Sequence, residues 1–166
     1  MKKIFPLILS IFIGCEDGIE PIKSIEFVPN MNLPMDADGY YHFKLSESSW
    51  QSIHTIGGTL FRNNKPMNIT KCGWASNMFW EYGNEECYIK EISGENFSNC
   101  DDYEFDENLV VPIVNGSSYS REDGTINTVI APIKIMKGDT MTIYIAWWDE
   151  WKYERGDADP IYIILN

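Results

Sequence analysis

Histidine is nearly missing from this chain: His42 and His54 are the only two among 166 residues, and no two cysteines have the CxxC spacing. A His/Cys metal centre therefore has no footing in the sequence. Basic residues are also scarce. Lys and Arg number 13 against 25 Asp and Glu, for a formal net charge of −12. So acidic a chain repels phosphate backbones, which argues against a nucleic-acid partner. It equally argues against docking on anionic lipid through a basic patch. No apolar run approaches the roughly 20 residues that a membrane-spanning helix needs. The serines near the histidines (Ser46, Ser48, Ser49 and Ser52) lack the glycine context of a nucleophile elbow. Acids are plentiful, but no pair is singled out as a glycosidase couple. The expectation is a non-catalytic protein without a cofactor.

Beyond the first fourteen residues, no 3.6-residue hydrophobic period is sustained for more than two turns, and short alternating runs recur instead. Aromatic residues make up 14% of the chain, which suits strands packed in a sandwich core. Strands are expected over residues 25–28, 40–45, 55–62, 67–76, 86–92, 109–114, 125–131, 140–148 and 160–165, separated by Gly, Asn, Asp and Pro turns. Pro112 places its strand at a sheet edge, because proline cannot donate to a ladder. Gly57-Gly58 marks a bulge or a close backbone approach. Residues 77–83 resist assignment, and 93–108 read as a long loop or weak hairpin. The fold class expected is an all-β, antiparallel β-sandwich of about eight or nine strands, with no internal repeat and no second domain.

The N-terminus has a different character. Met1-Lys2-Lys3 is a short positive segment, residues 4–13 are apolar, and Gly14-Cys15 follows. That layout is a secretory signal peptide. Phe12-Ile13-Gly14-Cys15 resembles the lipobox of bacterial lipoproteins, with Phe12 where Leu is usual. The resemblance implies cleavage before Cys15, diacylglycerol on its sulfur and acylation of the new amine, and several acyl chains hold a protein durably. Cleavage would remove Lys2 and Lys3 and no acid, taking the net charge from −12 to −14. The expected organisation is a signal peptide over 1–14, an acidic tether with an added first strand over 15–32, and a domain over 33–166. The membrane is then a partner through the Cys15 lipid. The location is the bacterial cell envelope, on the periplasmic face or the outer surface.

With Cys15 reserved for lipid, Cys72, Cys87 and Cys100 remain. Export permits disulfides, and three thiols allow one internal bridge with one left over. Cys87–Cys100, flanking the loop-like Ser93-Gly94-Glu95-Asn96, is the favoured pair. Cys72 lies in an apolar strand context, as a buried free thiol or the partner of one of the others.

Two stretches resemble bacterial immunoglobulin-like domains of the invasin and intimin type, and the related regulatory sandwiches beside carboxypeptidases. The first is residues 58–67 (GTLFRNNKPM) leading into Gly73-Trp74-Ala75-Ser76. The second is residues 120–128 (SREDGTINT) followed by 135–143 (IMKGDTMTI). The resemblance implies an immunoglobulin-like sandwich serving as a spacer, adhesion or accessory module, with no catalytic residues. The segment 79–106 is longer than that family usually has.

Three clusters invite a functional reading. Asp36-Ala37-Asp38-Gly39 has the alternate carboxylates of half a calcium loop, but no later acid completes it, so a hairpin turn is the plainer expectation. Residues 99–107 are acidic with two aromatics, and read as a solvated loop. The third is Trp147-Trp148-Asp149-Glu150-Trp151-Lys152-Tyr153. Rings beside carboxylates are what sugar binding needs, for stacking and for hydroxyl hydrogen bonds. Trp147 and Trp148 must face opposite sides of a strand, so one is core and the other exposed or covered by the Phe79-Trp80-Tyr82 segment. The expectations are an adhesion, display or accessory module with a protein or glycan partner, or a carbohydrate- or other ligand-binding lipoprotein using Trp80, Trp148, Trp151 and Tyr153. Metabolic labelling with palmitate tests the N-terminus: label is expected in the wild type and lost in Cys15→Ser, and label retained in that variant excludes Cys15 as the acylated residue.

Overall fold

Strands that alternate apolar and polar residues bury one face, and two sheets here do so against each other. The computed structural model describes residues 25–100, 104–114 and 116–166. The signal peptide, Cys15 and most of the tether lie outside the described residues. The first sheet has the order β1 (Ile25–Asn30), β3 (His54–Arg62), β11 (Thr125–Ile130), with β4 (Lys65–Pro66) folded back on the end of β3. The second runs β10 (Ser117–Tyr119), β5 (Lys71–Ser76), β12 (Thr140–Asp149), β14 (Ile161–Leu165), β2 (Tyr41–Phe43), and β13 (Glu154–Asp157) also pairs with β12. All of these pairings are antiparallel except β14 with β2, which is parallel.

The core is one cluster drawn from both sheets. Ile56, Leu60, Ile126 and Ile130 come from the first, and Trp74, Ile143, Ile145 and Ile163 from the second. Each fully buried Ile or Leu stabilises the fold by about 1.5–3 kcal/mol. The Phe27 ring meets Trp74 edge-on, with centroids 6.1 Å apart. Gly58 makes room for it: a Cβ there would stand 2.3 Å from the Phe27 ring and 2.5 Å from the Val28 carbonyl. The register through Gly57 and Gly58 is unbroken on both sides, so of the two expectations for this pair the close approach holds and the bulge does not.

One end of the sandwich is closed by charge. Arg62, the last residue of β3, is 9% exposed. Its Nη1 lies 2.9 Å from Asp149 Oδ2, and its Nη2 donates to Glu154 Oε2 at 2.6 Å. A first-sheet side chain thus holds the last residue of β12 and the first of β13. The reversal beyond Arg62 is tight because Asn63 and Asn64 both take positive φ (50° and 62°), which a two-residue hairpin turn of this hand requires.

Residues 77–83 supply the inner strand β6 (Met78–Glu81) of a third sheet, of order β8 (Glu95–Ser98), β7 (Asn84–Ile92), β6, β9 (Val110–Pro112), in which β7 and β9 correspond to the strands expected at 86–92 and 109–114. It brings the described residues to fourteen strands, more than the eight or nine expected. Pro112 sits on an edge strand as its chemistry requires. The third sheet packs on the same core through Met78, Trp80 and Tyr88. Asp139, just before β12, anchors it by accepting hydrogen bonds from the Tyr88 hydroxyl and, at 2.8 Å, from Lys90 Nζ. Residues 67–70 are not strand, because Ile69 turns to positive φ and the ladder begins at Lys71.

Breaking one side of a buried ion pair leaves its partners uncompensated. Arg62→Ala is expected to lower the unfolding free energy by about 3–5 kcal/mol, measured by urea titration. A loss below about 1 kcal/mol would show that the Arg62 cluster is no more than an exposed surface pair.

Candidate functional site

Strand alternation decides which of the two adjacent tryptophans meets solvent. On β12, Met141, Ile143, Ile145 and Asp149 are buried, while Tyr144, Ala146 and Trp148 are exposed. Trp147 takes the inner side and packs half-buried against the core. It can do so because its cross-strand partner is Gly156, where a Cβ would stand 2.7 Å from the indole. Trp148 points outward and is 47% exposed.

The outer face around Trp148 follows from the register. One row across the second sheet reads Tyr119, Lys71, Trp148, Arg155, and the next reads Ser117, Gly73, Ala146, Asp157. The second row has small side chains over three strands, so it forms a floor. Trp148 rises on one side of it, and Tyr144, 49% exposed, on the other. The result is a trough of about 840 Å³ lined by Lys71, Gly73, Trp148, Tyr153, Arg155 and Asp157 among others. An adjoining depression of about 310 Å³ shares Gly73, Ala146 and Asp157 and extends to Tyr144. Above Gly73 the space is open: a Cβ there meets nothing within 4 Å.

The hairpin between β12 and β13 carries two more rings, Trp151 at 80% exposure and Tyr153 at 90%. The Arg62 cluster sets its base. Asp149 gives Oδ2 to the guanidinium and accepts the backbone N–H groups of Trp151 and Lys152 on Oδ1, at 3.2 and 3.3 Å. Tyr153 has positive φ (53°), which reverses the chain into β13. Of the predicted aromatics, Trp148 and Tyr153 line the trough and Trp151 stands on the same hairpin. Trp80 does not join them. It is 8% exposed on β6 of the third sheet, with its ring 5.1 Å from Trp50 and 6.1 Å from Tyr82. Its segment has no clear hydrophobic period, and pairing within the third sheet turns Trp80 into the core. Lys71, Gly73, Arg155 and Asp157 were missed, because only cross-strand register places them beside Trp148.

The remaining sites resolve locally. Cys87 and Cys100 are disulfide-bonded, with Cα atoms 5.6 Å apart, and tie β7 to the end of the β8 segment. Cys72 is a free, buried thiol on β5, and burial pushes its pKa up to about 12. Asp36 closes a turn: its Oδ1 accepts the N–H groups of Tyr40 and Asp38, and Oδ2 meets His42 Nε2 at 3.1 Å. The Tyr40 amide foremost holds its carboxyl below the usual range. Asp36 thus serves the expected hairpin turn, with both of its carboxylate oxygens engaged within the loop. No group of three or more potential metal ligands occurs among the described residues. No protein-family model matches the chain, and no curated protein matches its sequence.

Two glycines on opposite faces of the second sheet should respond differently to valine. Gly73→Val is expected to leave the denaturation midpoint unchanged or slightly raised, as β-branched residues suit strands. Gly156→Val is expected to lower it by displacing the Trp147 indole. Equal midpoints for the two variants would contradict the packing around Trp147.

Proposed function

We propose that this chain is an exported, lipid-anchored, non-catalytic recognition module that binds a glycan on the outer face of its second sheet. The exposure of Trp148 and Tyr153 in the lining of an open trough, with Trp151 exposed on the same hairpin, carries this reading. Contiguous exposed aromatic surface at a concavity marks binding sites rather than structural packing. A purely structural role would bury these rings, as the fold does with Trp74 and Trp80. Aromatic faces stack on the apolar faces of sugar rings, and Asp157, Lys71 and Arg155 supply acceptors and donors for hydroxyl groups.

The immunoglobulin-like reading has support in strand order. β1-β3-β11 and β5-β12-β14 follow the chain order of the A-B-E and C-F-G strands of immunoglobulin sandwiches. On that mapping the aromatic hairpin is the F–G connection, and residues 63–70 are the B–C connection at the same end, where variable domains carry their binding loops. Export has support in the Cys87–Cys100 bridge, which needs an oxidising compartment. With Cys72 buried and free, Cys15 stays available for lipid at the cell envelope. The module is then an adhesion or accessory domain displayed on a short acidic tether.

A glycan array probed with the detergent-solubilised mature protein tests this. Binding is expected for the wild type and is expected to be lost in the Trp148→Ala/Trp151→Ala double variant and in Gly73→Val. Binding that persists undiminished in both variants, or no binding by the wild type, overturns the reading.

A further inference from the structure

We infer that the glycan taken by this trough is acidic, a chain built from hexuronate sugars. This inference rests on the glycan-binding reading above and names the ligand class. It follows from which side chains the register sets on either side of Trp148. Its two cross-strand neighbours on the outer face are Lys71 on β5 and Arg155 on β13. Neither is ion-paired among the described residues. In a chain carrying 25 acids against 13 Lys and Arg, an exposed indole flanked on both sides by cations goes against the composition.

The acids nearby are largely engaged. Asp149 and Glu154 are held by Arg62 on the inner side. Glu150 accepts a hydrogen bond from the Tyr119 hydroxyl at 3.4 Å. Asp157 lies one row along, above the small-residue floor, where it can accept a sugar hydroxyl or steady Arg155. The Lys71–Trp148–Arg155 row spans two strand spacings, about 10 Å, which is about the span of a disaccharide. A sugar ring stacked on Trp148 thus leaves the carboxylates of that ring or its neighbours within reach of one cation on either side. Arg155 can take a carboxylate bidentately and Lys71 as a point charge. The floor at Gly73 and Ala146 lets the chain lie close to the sheet.

The test is isothermal titration of the detergent-solubilised mature protein with tetrasaccharides of galacturonate, guluronate and mannuronate. Each is paired with its carboxyl-reduced counterpart, in which every carboxylate has become a neutral CH₂OH. At least one uronate chain is expected to bind about tenfold or more tighter than its reduced partner, the yield of two exposed charge contacts of modest strength. That advantage is expected to shrink as salt rises. It is expected to vanish in Lys71→Gln/Arg155→Gln, which keeps the wild-type melting temperature, loses more affinity for the acidic chain than for the reduced one, and binds the two alike. Trp148→Ala is expected to lose both forms. If reduced and acidic chains bind the wild type equally, the acidic-sugar inference is overturned and the glycan reading stands. If a poly-glutamate of matched charge binds as well as the uronates and Trp148→Ala leaves all binding intact, a bare charge effect replaces the site. If no uronate chain binds, the inference is overturned, and the glycan array decides separately whether the broader reading falls with it.

Discussion

The charged contact between Arg62 and the Asp149–Glu154 pair is the constraint on which the outer surface of this protein depends. A guanidinium at the end of a core strand is costly to bury unless its charge is met, and here two carboxylates from the facing sheet meet it. The partnership does more than join two layers. Asp149 is the hinge of the β12–β13 hairpin, and its second oxygen gathers the turn amides. The same residue therefore ties the hairpin to the first sheet and shapes its tip. An exposed aromatic loop with no such anchor would lose ordering entropy on binding a ligand; one clamped at its base loses less.

Around that anchor, the inner and outer faces of β12 divide the labour. The inner face contributes Ile143 and Ile145 to a core that also includes the third sheet's Met78 and Trp80. The outer face carries Tyr144, Ala146 and Trp148 into solvent. Gly156 enables the division at Trp147, since only a missing side chain leaves room for that indole beside the core. Gly73 serves the opposite purpose: its missing side chain is not filled by the protein and keeps the trough open. The third sheet, stapled by Cys87–Cys100 and held by Asp139, covers a flank of the core elsewhere and does not contribute to the trough's lining.

The Trp147-Trp148 pair measures how far the residues could be read in advance. Alternation in phase with Ile143 and Ile145 turns Trp147 in and Trp148 out, but what stands beside Trp148 depended on a partner strand, β13, that carries no clear hydrophobic pattern. Its Glu154-Arg155-Gly156-Asp157 becomes strand through pairing with β12 and through the hold of Arg62 on Glu154, both long-range. Trp80 was misplaced for a related reason. The segment 77–83 puts rings on both sides of a strand, Phe79 on one and Trp80 and Tyr82 on the other, so its buried side was settled only by pairing with β7 and β9.

What the sequence determined by itself was local: the period of two that makes strands, the turns at Asn63-Asn64 and Asp36–Gly39, Pro112 at an edge, and the favoured Cys87–Cys100 pairing. These follow from the conformational limits of single residues and their near neighbours. Tertiary structure alone decided the three-sheet arrangement, the Arg62 clamp, and the row that sets Lys71 and Arg155 beside Trp148. Those are contacts between residues far apart in the chain, and their energies appear only after the strands have paired.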